Sequence, residues 1–322
     1  GLNTIYARAT DNSGNVNEIS NQITYFAGPT NISGGTLTSN TVWNEYASPY
    51  VINSTLTVPQ GMTLTISPGV VVKSAVGSLI VKGSFMADGT PDKKIVFTSL
   101  KDDSYGGDTN GDGNASYPDK GNWGGGGGLL FEATSKDNLL DNVVVKYAGH
   151  GIWSNGVSSL AITNSNISNN SGSGIVLFGG SPTISGNTIS NNASYGMVLQ
   201  NSSSPAINGN TITGNSEGIY IASGSKPTIT SNNITGNTSW AIYFDDPSSS
   251  GAQVSGNSIS GSKAGIYVRP GAIISSITWG STDVPYVKGT ESSPYTDLTV
   301  AEGSILTVSP GVVVKSAGGS LI

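Results

Sequence analysis

The stretches SPTISGNTISNNASYGMVLQ (181–200), SPAINGNTITGNSEGIYIA (204–222) and KPTITSNNITGNTSWAIYF (226–244) are three wordings of one phrase. Looser copies extend it over residues 158–269. A first aliphatic recurs at Ile162, Ile184, Ile207, Ile229 and Val254, and a second at Ile167, Ile189, Ile212, Ile234 and Ile259. A third, after Gly or Ala, recurs at Ile175, Met197, Ile219, Ile242 and Ile266. The period of roughly 22 residues is that of a solenoid. Each unit holds three short β-branched runs separated by Asn, Gly and Ser, which read as three strands and three turns. One unit cannot bury its own apolar residues, but stacked units share a continuous core.

Two Asn columns keep step with the aliphatics. One is Asn187, Asn210, Asn232 and Asn257, with Ser165 in the first copy. The other is Asn170, Asn192, Asn215 and Asn237, with Ser262 in the last. Asn tolerates the left-handed backbone of sharp corners, and stacked amides can hydrogen-bond along a column. These residues are therefore expected to form ladders at two corners.

With this pattern the chain resembles the right-handed parallel β-helix proteins, a group that includes pectate lyases, polygalacturonases and large bacterial and archaeal surface proteins. The resemblance implies an all-β, single-stranded parallel β-helix of about 22 residues per coil. It says little of activity, because lyases, hydrolases and adhesins share the fold. The phrases LTISPGVVVKS (64–74) and LIVKGSFMADGT (79–90) resemble the opening coils of bacterial surface β-helices.

Composition narrows the classes. The 14 Lys and Arg residues are not clustered, and the net charge is −6, which argues against nucleic-acid binding. With no Cys there is no disulfide framework and no thiolate metal site. No apolar run reaches the ~20 residues of a membrane span. Richness in Ser, Thr, Asn and Gly with little Lys points to an extracellular, cell-surface protein.

Four segments follow in order. Residues 1–28 read as a hairpin, two alternating runs around Asn-Ser-Gly-Asn, and resemble the last strands of an immunoglobulin-like β-sandwich. Residues 29–42 read as a linker. Residues 43–278 read as the β-helix, interrupted by an acidic insertion at 99–122. From residue 279 a second copy of the β-helix unit begins: LTVAEGSILTVSPGVVVKSAGGSLI (298–322) nearly repeats LTVPQGMTLTISPGVVVKSAVGSLI (56–80). Trp279 and Pro285-Tyr286-Val287 precede it, as Trp43 and Pro49-Tyr50-Val51 precede the first. A long repeat of roughly 240 residues thus encloses the short one, and the expected partners are further copies of itself, in tandem or head to tail.

Candidate functional residues lie in two places. In the insertion, Asp108, Asn110, Asp112, Gly113 and Asp119 match the alternating oxygen ligands of a calcium loop, with the Asn114 carbonyl completing the shell. The expected ion is a structural calcium. In the third strand, period-two alternation turns Tyr220, Tyr243 and Tyr267 outward as a contact surface beside Asp245 and Arg269. A stack that merely stabilises the sheet is the alternative. Catalytic candidates are few: Asp245, Asp246, Arg269 and the single histidine, His150. They do not reproduce the acidic set of the polysaccharide hydrolases. The sequence thus points to a structural surface protein, an adhesin, sheath or filament. A carbohydrate-active enzyme or carbohydrate-binding module is the alternative.

Overall fold

The computed structural model describes residues 2–24, 28–222, 224–261, 263–289 and 297–322. The Ser262 end of the second Asn column lies outside them. The body is a parallel β-solenoid of about 11 turns, about 23 residues each. Its strands form three long sheets of twelve, nine and ten strands, and each coil contributes one strand to each. Ile175–Phe178, Thr183–Ser185 and Thr188–Ser190 make one such coil.

Strand pairing reproduces the columns read from the sequence. Ile162, Ile184, Ile207, Ile229 and Val254 stack in register. So do Ile167 through Ile259 and Ile175 through Ile266. Nearly all these side chains are fully buried, and each contributes ~1.5–3 kcal/mol by leaving water. The columns continue into the less regular coils, through Phe97 and Val145 on one side and Leu129 and Ile152 on another.

The corners are built by side-chain amides. Asn187 Nδ2 donates to Asn210 Oδ1 at 2.9 Å, Asn210 to Asn232 at 2.9 Å, and Asn232 to Asn257 at 3.0 Å. Each Oδ1 also accepts the backbone N–H of the preceding ladder residue. Each Nδ2 donates as well to an Ile carbonyl, as from Asn210 to Ile184 at 2.9 Å. The second ladder, Asn170–Asn192–Asn215–Asn237, repeats the scheme. Asp283 receives the end of the first, accepting from the backbone and side-chain N–H groups of Asn257.

One expectation is corrected here. The left-handed residue at each corner is the one before the ladder Asn. Positive φ falls on Asn164 (50°), Gly186 (67°), Gly209 (64°), Ser231 (57°) and Gly256 (68°), and again on Asn169, Asn191, Gly214 and Gly236. That residue turns the chain, and the next one, in an ordinary conformation, points its amide inward. A second close approach fixes Gly151, Gly174, Gly196 and Gly218. A Cβ on Gly196 would lie 2.6 Å from both the Gly218 carbonyl oxygen and Ile212 Cγ2.

The segment expected as a linker joins the stack. Thr30–Ile32 pairs with Tyr50–Ile52, and Gly35–Thr36 with Leu56–Val58. Its polar, Gly-rich composition hides strands that need only backbone pairing at the end of a sheet. The N-terminal hairpin is present as Leu2–Thr10 against Val16–Thr24, antiparallel. Asp11 caps its turn by accepting from the Ser13 and Asn15 amides.

Asn210→Ala should lower stability by ~2–4 kcal/mol, since it strands the buried Asn187 N–H donors and removes the donor to the Ile184 carbonyl and to Asn232 Oδ1. The exposed neighbour change Asn208→Ala should stay within ~0.5 kcal/mol. Urea unfolding of both variants measures the difference.

Candidate functional surfaces: an aromatic face and an acidic loop

The twelve-stranded sheet carries the aromatic face. Val176, Val198, Tyr220, Tyr243 and Tyr267 stack in register on its outer side. The rings pack on one another. Tyr195 meets Tyr220 at 5.0 Å, Tyr220 meets Tyr243 at 5.5 Å, and Tyr243 meets Tyr267 at 4.7 Å. Trp240 closes the row against Tyr267 at 4.9 Å, and Lys263 Nζ sits 5.4 Å over the Trp240 ring.

The expected column of three exposed tyrosines is corrected in two respects. Tyr267 is only 2% exposed, packed against Tyr243 and Trp240 of the preceding coil and paired with Val287 of the next. The row also has two members that the alternation did not mark, Tyr195 and Trp240. Both stand at strand starts, where the period-two rule lapses at the corner; between Trp240 and Ile242 the register itself shifts. Neighbouring rings thus cover part of each ring face in the row.

Polar groups border the row. Arg269 Nη1 donates to Asp245 Oδ1 at 2.8 Å. Burial, then a hydrogen bond to Asp245, holds the Tyr220 phenol above its ordinary range. Burial pushes Tyr243 up to about 12 and raises Tyr267 too. Burial also raises Glu217, a half-buried carboxyl beside this row that the sequence reading did not single out; the Ser239 hydroxyl and Lys263 partly offset the effect. The Tyr267 hydroxyl is buried with no hydrogen-bond partner.

The other catalytic candidates have structural partners. Asp246 caps the short 3-10 helix Pro247–Gly251, accepting from Ser248 N–H and the Ser249 hydroxyl, and it also takes the Gly224 N–H. His150 Nδ1 accepts the Ser173 N–H at 3.0 Å, and its ring stands edge-on to Trp153 at 5.1 Å. Burial lowers its affinity for a proton. Trp153 stacks on Phe178 at 5.3 Å, and the two line an open cleft of about 380 Å³ with Ile80, Leu130 and Asn155.

The acidic loop folds around Asp108, whose carboxylate accepts from the Gly111, Asp112 and Gly113 amides. These bonds hold its carboxyl below the usual range. Asn110 Nδ2 donates to Asp112 Oδ2 at 2.8 Å and to Ser116 Oγ at 3.1 Å. That leaves Asn110 Oδ1 buried without a partner, and Asp103 Oδ1 is in the same state. Oxygens of Asp103, Asp108 and Asp112 lie within 4.8 Å of one another.

Asp119 is not in this cluster. It sits in its own turn, accepting from Lys120 N–H while its amide donates to Asn122. Asn114 is exposed on the outer part of the loop. Asp103, from upstream, joins Asp108 and Asp112 in the cluster instead. The loop also has a basic neighbour. Lys73, fully buried, reaches up from the solenoid and donates to the Gly107 carbonyl at 2.5 Å. Burial lowers its pKa against the pull of Asp103, Asp102 and Asp108. Lys146 lies 4.0 Å from Asp102.

Stacked three-sided coils with buried amide ladders define a class, the parallel β-solenoids. Within that class, residues 127–277 of the chain match the family model described as right handed beta helix region. No curated protein and no solved structure matches it. Among the described residues, no helix is long and apolar enough to cross a membrane.

Raised phenol pKa values carry a sign. Tyr220, Tyr243 and Tyr267 lose protons less readily folded than unfolded. Their contribution is complete below the unfolded value near ~10 and is lost as pH rises through the folded values. Alkaline unfolding should therefore begin above pH ~10, with a late-ionising class of phenols in the ultraviolet titration. Tyr243→Phe should shrink that class, and Tyr267→Phe should be neutral or stabilising by up to ~1 kcal/mol, having no hydrogen bond to lose.

Proposed function

We propose that the chain is a non-enzymatic structural module of an extracellular, repeat-built surface protein of the adhesin, sheath or filament kind. The observation that carries this reading is the engagement of the catalytic candidates named from the sequence, Asp245, Asp246, Arg269 and His150. Asp245 is paired with Arg269, Asp246 caps a helix, and His150 holds a corner through Ser173. A long unit followed by the start of a second in one chain supports an array whose partners are further copies of itself.

Calcium is the proposed cofactor, with a structural role. Three carboxylates, Asp103, Asp108 and Asp112, face one ammonium, Lys73, so the cluster keeps an excess of negative charge. The two unpartnered oxygens, on Asp103 and Asn110, are hard donors of the kind that calcium takes. Such an ion would pin the insertion to the solenoid where Lys73 and Lys146 already hold it.

A second reading has one specific observation in its favour. Glu217, its carboxyl kept protonated to higher pH by burial, stands in the aromatic row near Asp245. A carboxyl held above its usual range beside a second carboxyl is the arrangement that glycoside-cleaving sites use.

Two measurements separate these readings. Millimolar calcium should raise the melting temperature of the native chain; Asp103→Asn and Asp108→Asn should abolish the rise, and Asp119→Asn should leave it intact. No calcium effect in the native chain would remove the ion from the account. Incubation with pectin, alginate and neutral glycans should release neither reducing nor unsaturated ends. Release that disappears in Glu217→Gln would make the chain a carbohydrate-active enzyme.

A further inference from the structure

The two copies of the long phrase lie on different sides of the solenoid. In the first copy, Leu56–Val58 belongs to the twelve-stranded sheet, Thr63–Ile66 to the nine-stranded and Val71–Ser74 to the ten-stranded one. In the second copy, the strand equivalent to Leu56–Val58 is Leu298–Val300, and it pairs with Gly271–Ile273. Leu306–Val308 pairs with Ile277–Trp279. Val314–Ser316, equivalent to Val71–Ser74, joins the twelve-stranded sheet beside Tyr286–Lys288.

The shift is one whole side, and the local structure survives it. Trp43 stacks on Tyr50 at 4.7 Å and 11°, and Trp279 on Tyr286 at 4.7 Å and 7°. The Tyr50 hydroxyl accepts the Asn44 N–H, and the Tyr286 hydroxyl accepts the Ser281 N–H. Ser74 bonds to the Gly77 carbonyl, and Ser316 to the Gly319 carbonyl. Yet Tyr50 is in the ten-stranded sheet and Tyr286 in the twelve-stranded one. Counted along the twelve-stranded sheet, nine steps lead from Leu56–Val58 to Tyr286–Lys288, and Leu298–Val300 comes one side later. The long unit is therefore nine coils and one side.

From this we infer that successive long units are turned by one side, about a third of a revolution, about the solenoid axis. The inference rests on the tandem-array reading only for its consequence. At ~4.8 Å per coil each unit advances the axis by ~45 Å. The tyrosine row of one unit then faces a different side from that of the next and returns to the first side every third unit, after ~135 Å. Such a rod shows its aromatic strip to neighbours in three directions.

The chain has no cysteine, so paired cysteines labelled with pyrene report the turn directly. Ala272 and Thr299 are register partners and both are exposed. In the turned arrangement, Ala272→Cys/Thr299→Cys gives pyrene excimer emission and Val287→Cys/Thr299→Cys gives none, since Val287 pairs with Lys315. Were the copies in phase, Thr299 would stack on Val287 and the result would reverse. Reversal overturns the inference, and so does excimer in neither pair while circular dichroism shows the coils folded. Neither outcome bears on calcium or on polysaccharide cleavage, so the structural reading stands or falls separately.

Discussion

Everything in this molecule depends on closing the corners of a coil without leaving backbone groups bare. Along a strand, parallel pairing with the coils above and below satisfies each N–H and C=O. At a corner the chain turns away, and a buried unpaired group there costs ~1–3 kcal/mol. The Asn ladders answer this at two corners. Each amide accepts from the N–H of one neighbouring coil and donates to the next amide and to an Ile carbonyl. An amide does what a peptide unit would do if the strand had continued. The ladder survives the detour through Pro247–Gly251, since Asn232 still donates to Asn257. One coil later Asn257 hands its column to a carboxylate, Asp283, instead of another amide.

Once the interior is committed to identical columns, variation is left to the outer face and to the insertions. The tyrosine row illustrates the outer case. Outward residues at one register position are brought about ~4.8 Å apart by the coil spacing, so any aromatic repeated in the phrase stacks on its successor. Such stacking stabilises the sheet and also blocks the flat ring faces that a sugar would use. The acidic loop illustrates the other case. It is long enough to escape the coil pattern, and it returns through cationic side chains, Lys73 and Lys146, sent out from coils on either side of it.

The fold was largely legible in the sequence because three aliphatic columns and two Asn columns share one period, and only a stacked coil places all five. What escaped was local. Asn was read as the left-handed residue itself, since its propensity is real; the structure gives that conformation to the residue before, often Gly, and keeps Asn for the inward amide. Tyr195 and Trp240 were missed because alternation says nothing at a strand's first residue. That Asp103 joins the carboxylate cluster was not legible, because the calcium-loop template looks only forward from Asp108. In that template a following helix brings the last carboxylate back. Here the chain after Asp112 turns at Pro118 and Asp119 into its own bend, and the nearer carboxylate is upstream.

The turned second copy shows how little a solenoid side knows about its own identity. Any of the three sides demands the same thing of a strand: two or three inward apolar residues and a pairing partner on each edge. The phrase around Val70–Lys73 meets that demand on one side and the phrase around Val312–Lys315 on another. A corner is more demanding, because a ladder must find its successor in the coil above. The long phrase contains none of the ladder asparagines; they lie in the short repeats between its two copies. The long phrase is thus free to rotate, and the short repeats are not. The same physics that locks coil to coil in the middle of the molecule leaves unit to unit orientation to be set by strand count alone.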